Sequence, residues 1–261
     1  MNSDSLGRLR LERSMHHAPP APLVKVCGLT REEDAALACE LGAWGIGFVF
    51  APSPRQVTAE RVRRILDGLR SRPALAVGVF AEESAEVIAQ VVEEAGLDAV
   101  QLHGGERGPR VAEVRQVLSA ARGQGIQEGR ARAGEESPWL PLVVKVISVP
   151  PGGAEDPELR LQIADAADAD LLIFDTHVKG LAGGSGVPFA WPSVRESAGE
   201  RPFLVAGGIG PHNACAALHA CGAWGIDVGS GVESSPGEKD ERSLRALFAQ
   251  LTTGGEKGTR F

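Results

Sequence analysis

The stretch Leu171–Gly186, LLIFDTHVKGLAGGSG, decides how the rest of the chain is read. Its first residues, Leu171-Leu172-Ile173-Phe174, make an apolar run of strand length with no polar face, as expected of a parallel strand covered on both sides. The run ends on an acid, Asp175, and enters a loop carrying Gly180, Gly183, Gly184 and Gly186. A carboxylate just past the C-terminal end of a buried strand is poorly placed for packing and well placed for chemistry. The glycines beyond it let backbone N–H groups approach an anion, because no β-carbon stands between them. Alone, the stretch also fits a solvated strand end and a flexible loop, so the other strand ends must decide.

Outward from it the same unit recurs. Apolar runs at 23–27 (LVKVC), 44–50 (WGIGFVF), 74–80 (ALAVGVF), 98–103 (DAVQLH), 141–148 (PLVVKVIS), 171–174, 202–208 (PFLVAGG) and 224–230 (WGIDVGS) read as strands. Each is followed by a helical pattern. The first runs to about Leu41, with Thr30 as N-cap and Glu33 completing a capping box. The others cover about Thr58–Leu69, Ser84–Ala95, Glu106–Ala120, Pro157–Ala167, Phe189–Ser197, Pro211–Cys221 and Asp240–Leu251. Uninterrupted alternation gives a parallel sheet, and eight units suit an α/β chain closed into a (βα)₈ TIM barrel of one domain. An open doubly wound sheet is the rival; even units without a composition break favour closure.

An internal repeat points the same way. CGLTREEDAALACELGAWGI (27–46) aligns without a gap on GGIGPHNACAALHACGAWGI (207–226), and the pentapeptide GAWGI recurs intact at 42–46 and 222–226. Around this barrel, expected over 23–252, residues 1–22 read as a disordered polar tail and 253–261 as a loose end. GQGIQEGRARAGEESP (123–138) reads as a surface insertion.

Composition narrows the partners. The 261 residues carry a net charge of −7, no basic run and few aromatics, which argues against nucleic acid. An anionic small molecule remains open, since backbone dipoles and one or two arginines can dominate a site. Cys27, Cys39, Cys215 and Cys221 form no CxxC pair and no metal-ligand spacing with His. Free thiols, no metal and a reducing, cytoplasmic setting are expected. No apolar run reaches membrane-spanning length, and the N-terminus lacks the apolar region of a secretory signal. Monomer and homodimer remain equally open.

In such a barrel, functional groups collect where strands pass into βα loops. Those positions hold Cys27 after the first strand, Arg55 in the second loop, Gln101 and His103 at the fourth and Asp175 at the sixth. Gly207 and Gly208 follow the seventh strand, and Asp227, Ser230 and Gly231 close the eighth. The glycine clusters after strands seven and eight, with Gly183, Gly184, Ser185 and Gly186, lie where barrels of this kind hold phosphate, near helix N-termini. They also fit as mere permission for tight turns. Cys27 is either a small buried hydrophobe or, with Asp175 at a different strand end, half of an acid–base pair. Arg55 is either a surface arginine or a fork for a carboxylate, stiffened by Pro54.

The segments VKVCGLTREEDA (24–35), GFVFAPSPRQV (47–57), VQLHGGE (100–106), FDTHVKGLAGGSGVPFAW (174–191), VAGGIGPHNA (205–214) and VGSGVESSPGEKD (228–240), in this order, resemble phosphoribosylanthranilate isomerases of tryptophan biosynthesis. The resemblance implies an Amadori rearrangement of N-(5-phosphoribosyl)anthranilate with no cofactor and no metal. It implies Cys27 as general base and Asp175 as general acid. It also implies Arg55 on the anthranilate carboxylate and the glycine-rich loops on the phosphate; Gln101, His103 and Asp227, by their strand-end positions, are candidates for further substrate contact. Departures are His177, where relatives often carry lysine, Gly229, where many carry serine, the 123–138 insertion and the tail. Rival readings are another phosphate-binding barrel, such as a metal-dependent epimerase or a lysine-using indole-glycerol-phosphate synthase, and a binding barrel without turnover.

Overall fold

A computed structural model describes residues 21–103, 110–127, 140–149, 156–175 and 191–254. The expected strands form: β1 (Leu23–Cys27), β2 (Gly45–Val49), β3 (Leu75–Phe80), β4 (Ala99–Leu102), β5 (Leu142–Ser148), β6 (Leu171–Asp175), β7 (Phe203–Ala206) and β8 (Gly225–Val228). They pair in parallel and in chain order into a closed barrel, β8 returning to β1. The open sheet is thereby excluded. Helices α1 (Glu32–Glu40), α2 (Ala59–Gly68), α3 (Ala85–Ala95), α4 (Val111–Gln127), α5 (Pro157–Asp165), α6 (Trp191–Ala198), α7 (Ala214–Cys221) and α8 (Glu241–Gly254) follow the strands. None of the described helices is long and apolar enough to cross a membrane.

Side chains alternate across each strand, so every strand feeds two cores. Inside the barrel lie Leu75, Val77, Ala99, Val144, Ile173 and Leu204, with Trp44 buried among the same group. Between sheet and helices pack Val24, Val26, Ile46, Phe48, Phe174 and Ile226 with the apolar faces of the helices. The repeat is structural too: Gly42 and Gly222 both take positive φ (91° and 61°) where a helix turns into the next strand, a conformation that suits glycine.

Helix starts show what local sequence settles. Thr58 and Ser84, where the second and third helices were expected to begin, cap α2 and α3, accepting from Arg61 N and Val87 N, each cap being worth about 1 kcal/mol. Thr30 does not cap α1. Arg31 holds the N-cap position, and the Thr30 hydroxyl instead donates to Gly237 O at 2.7 Å. The first turn is stabilised by three acids, Glu32, Glu33 and Asp34, at the positive end of the helix. A second correction concerns α4, which continues to Gln127, so the start of the 123–138 segment is helical. Propagating a helix anchored by buried Val111, Val114 and Leu118 outweighs the roughly 1 kcal/mol cost of each glycine in it. The remainder of that segment, and most of both tails, lie outside the described residues.

One feature was not foreseen. After β8 a 3₁₀ turn (Ser230–Val232) leads into a small antiparallel hairpin, β9 (Glu233–Ser235) and β10 (Glu238–Lys239), that folds back over the barrel mouth.

Barrel closure depends on close backbone approach at Gly225, where a β-carbon would fall on the carbonyl of Leu23 in β1. Gly225→Ala should therefore cost about 3 kcal/mol. For a chain of this size that lowers Tm by about 6–12 °C in thermal circular dichroism; an unchanged Tm would show the seam to be looser than this.

Candidate active site

The mouth is built from strand ends, beginning with Cys27. Along β1, Leu23, Lys25 and Cys27 share the interior face by alternation. Lys25 is the largest polar side chain within the barrel, 1% exposed, and its Nζ donates to Asp227 Oδ1 on β8 at 2.9 Å. Space for it comes from glycine on the adjoining strand: a β-carbon on Gly45 would touch the Lys25 stem at 3.5 Å. A β-carbon on Gly47 would stand 3.0 Å from both Lys25 Nζ and Cys27 Sγ.

These neighbours set the charge states. Burial pulls Lys25 toward neutrality, but Asp227 and Cys27 outweigh it, and the ammonium is held above its ordinary range. Burial pushes the Cys27 thiol above its ordinary range; Lys25 and Lys239 pull it back only in part. Cys27 is half-buried, at the base of the mouth.

Above Cys27 lies a second ionic cluster. Arg55 forms a fork on Glu233 in β9, with Nε donating to Oε1 at 2.8 Å and Nη2 to Oε2 at 2.5 Å. Lys239 in β10 donates from Nζ to Glu233 Oε1 at 2.8 Å, to Cys27 O at 2.6 Å and to Gly229 O at 3.1 Å. Burial alone would raise the Glu233 pKa, but Arg55 and Lys239 reverse the sign and hold the carboxyl below its usual range. Gly28, at φ 78°, turns the chain after β1, and the Arg55 stem lies across it where a β-carbon would stand. Arg55 thus reaches the rim beside Cys27, its fork oriented by an internal carboxylate.

Asp175, ending β6, stands on another side of the mouth. His103 Nε2, just after β4, lies 3.8 Å from Asp175 Oδ2. Desolvation lowers the His103 pKa below the ordinary imidazole value, and Asp175 opposes the shift; the ring remains 47% exposed. The charges of Lys25 and Asp227 also reach this ring, linking the two sides of the mouth electrostatically. Gln101 is 2% exposed inside the barrel, its Oε1 without a partner among the described residues.

After β7, Gly207 and Gly208 both take positive φ (89° and 66°). A β-carbon on Gly208 would meet nothing within 4 Å, so its backbone faces open space. Asn213 fixes this turn, accepting from Gly210 N and donating to Gly208 O. Ser230 is exposed at the start of the 3₁₀ turn. At Gly231 a β-carbon would fall on Ile209 O, so close packing of the two loops already demands that glycine. Gly183, Gly184, Ser185, Gly186 and His177 lie outside the described residues.

The family model for N-(5'-phosphoribosyl)anthranilate (PRA) isomerase matches residues 24–124 and 143–250, nearly the whole barrel. The chain belongs to the phosphoribosylanthranilate isomerase family. The isomerase of Desulfovibrio desulfuricans is 36% identical over 241 residues, covering 92% of this chain and 99% of that protein. The crystal structure of phosphoribosylanthranilate isomerase from Thermotoga maritima superposes with a TM-score of 0.70 at 31% identity, covering 89% of this chain and 99% of that one. Another structure of such an isomerase, in complex with reduced 1-(o-carboxyphenylamino)-1-deoxyribulose 5-phosphate, gives 0.68 at 28% identity over 89% and 99%.

Sequence reasoning named Cys27, Arg55 and Asp175 but passed over Glu233 and Lys239, although both stand in the VGSGVESSPGEKD segment. The signal was there: an acid and a lysine flanking a Pro236-Gly237 turn, the pattern of a hairpin that brings opposite charges together. Lys145 on β5 alternates with the interior residues Val144 and Val146, so its side chain leaves the strand on the helix-facing side, although its charge still reaches His103.

The carboxyl of Glu233, lowered in the fold, stabilises it above the ordinary carboxylate range, and this contribution fades as pH falls through the lowered value. Glu233→Gln strands a buried lysine and should cost about 3–5 kcal/mol in urea unfolding at pH 7. The gap from the parent should narrow below about pH 4; a constant gap would assign the loss to packing.

Proposed function

We propose that this isomerase converts N-(5'-phosphoribosyl)anthranilate into 1-(o-carboxyphenylamino)-1-deoxyribulose 5-phosphate, in tryptophan biosynthesis. The observation that carries the reading is the family match, which spans the strands bearing a thiol at the end of β1 and a carboxyl at the end of β6. Asp175, as the acid, protonates the furanose ring oxygen; the C1′–O bond breaks and an iminium forms with the anthranilate nitrogen. That cation withdraws electrons and acidifies the C2′ proton. Cys27, as thiolate, takes the proton, the electron pair moves into the C1′–C2′ bond, and an enolamine results. Tautomerisation to the ketone returns the proton count to its start. Each catalytic proton transfer contributes about 10²–10⁴-fold.

Arg55 recognises the anthranilate carboxylate with the part of its guanidinium that Glu233 leaves exposed. The phosphate sits at the opposite end, on the open turn of Gly207 and Gly208, with Ser230 and Gly231 beside it. Glycine suits that ligand because backbone N–H groups approach it without side-chain obstruction.

A fluorescence assay of phosphoribosylanthranilate consumption tests this directly. Cys27→Ala and Asp175→Asn should each lower kcat by at least about two orders of magnitude with the fold retained. Near-normal turnover in either would remove that residue from its role. Arg55→Ala should act chiefly on KM, and an unaltered KM would sink the carboxylate contact.

The raised Cys27 pKa gives a pH signature. Because the thiolate is the working form, kcat/KM should climb with pH and level off above the ordinary thiol value of about 8.5. A profile flat between pH 7 and 9 would exclude a thiolate base.

A further inference from the structure

We propose that Lys25, held in place by Asp227, is a positioning residue for Cys27, supplying the positive charge that makes its thiolate accessible. This inference rests on the reading of Cys27 as general base, and it assigns a purpose to the one buried charge pair in the barrel that the reaction steps above leave unused.

The argument begins with cost. Taking an ammonium and a carboxylate out of water is expensive, several kcal/mol per ion, and apolar residues of similar volume commonly fill such a space as well or better. Here the pair is nearly sealed, 1% and 9% exposed, in a barrel otherwise filled by residues such as Val77, Ala99 and Ile173. The neighbouring strand supports it with inward space at Gly45 and Gly47 rather than with branched side chains. A structure selecting only for packing would fill those positions.

The second step is placement. Lys25 Nζ and Cys27 Sγ converge on the same point above Gly47, 3.0 Å from each. Two atoms each 3.0 Å from one point are at most 6.0 Å apart, so the charge of the ammonium acts on the sulfur as well as on Asp227. An ammonium beside a thiol favours the charged form of the thiol, whereas burial without it favours the neutral form. Asp227 keeps Lys25 protonated, since an isolated buried lysine would shed its proton.

Of the other charges around Cys27, Lys239 acts in the same sense but less strongly than Lys25; it approaches from β10 with its Nζ bonded to Cys27 O, Gly229 O and Glu233. Arg55 approaches from the β2 loop and is committed through its fork to Glu233. Asp227, facing from β8, acts on the thiol in the opposite sense. Across the mouth, Asp175 is a carboxyl and supplies no positive charge, and the pKa of His103 is shifted away from its charged form.

The test uses the full chain and reads Cys27 directly. Carbamidomethylation by iodoacetamide is followed at the Cys27 peptide by mass spectrometry from pH 6 to 10, in the parent, in Lys25→Met and in the neutral pair Lys25→Met/Asp227→Asn. The double variant removes the stranded carboxylate that would unfold the single one. In the folded variants, modification of Cys27 at pH 7.5 should slow at least tenfold and recover at alkaline pH. The pH profile of kcat/KM should move with it. Superimposable alkylation profiles in parent and variants would overturn the proposal. So would failure of the neutral pair to fold, which would make the pair structural.

The result is separable from the general-base reading. Retained turnover in Cys27→Ala would end that reading while the alkylation shift still reported the pairing. An inactive Cys27→Ala with unshifted alkylation would end the pairing alone.

Discussion

The seam at which β8 closes on β1 is the constraint on which the rest depends. Leu23 pairs with Gly225 and Lys25 with Asp227 along that seam, and only glycine lets the two backbones approach as they do at Gly225. Just above it, Lys239 ties Cys27 O to Gly229 O, while Thr30 reaches Gly237 O and Asp34 accepts from Lys239 N. The hairpin after β8 is thus bonded to the turn after β1 at several points. Closure of the barrel and placement of the thiol are one event: whatever opens the first displaces the second.

A protein of net charge −7 must still receive a substrate with carboxylate and phosphate groups. Positive charge is therefore concentrated rather than spread. Lys25, Lys239 and Arg55 surround Cys27, and each is held by an internal acid, Asp227 or Glu233. Such pairs contribute little net stability once desolvation is counted. What they supply is direction, because a guanidinium or ammonium already fixed loses less rotamer freedom when a ligand binds.

The barrel was legible because its signals are local and redundant: apolar runs, helical patterns between them, and a repeated βα unit. The placement of Cys27, Arg55 and Asp175 at the mouth was legible because strand ends and the loops after them are where such a fold exposes side chains. What escaped were consequences of contacts distant in sequence. Thr30 has the right chemistry for a cap, yet Gly237, brought over it by the last loop, offers an acceptor that takes its hydroxyl. Alternation along β1 sets the Lys25 Cα one layer below Cys27, but its long side chain rises along Gly47 toward the sulfur. Glu233 and Lys239 acquire meaning only when the hairpin folds them onto β1. Periodicity cannot report any of these.

The repeat shows how one backbone unit builds two different surfaces at the mouth. Cys27-Gly28-Leu29 and Gly207-Gly208-Ile209 occupy equivalent places. Gly28 and Gly208 both take positive φ, and Leu29 and Ile209 are both buried. The difference lies in what occupies the space over the second glycine. At Gly28 the Arg55 stem fills it, closing the rim around a thiol; at Gly208 it stays empty. The same turn therefore yields a covered wall suited to a proton-transferring side chain at β1 and a bare shelf suited to an anion at β7.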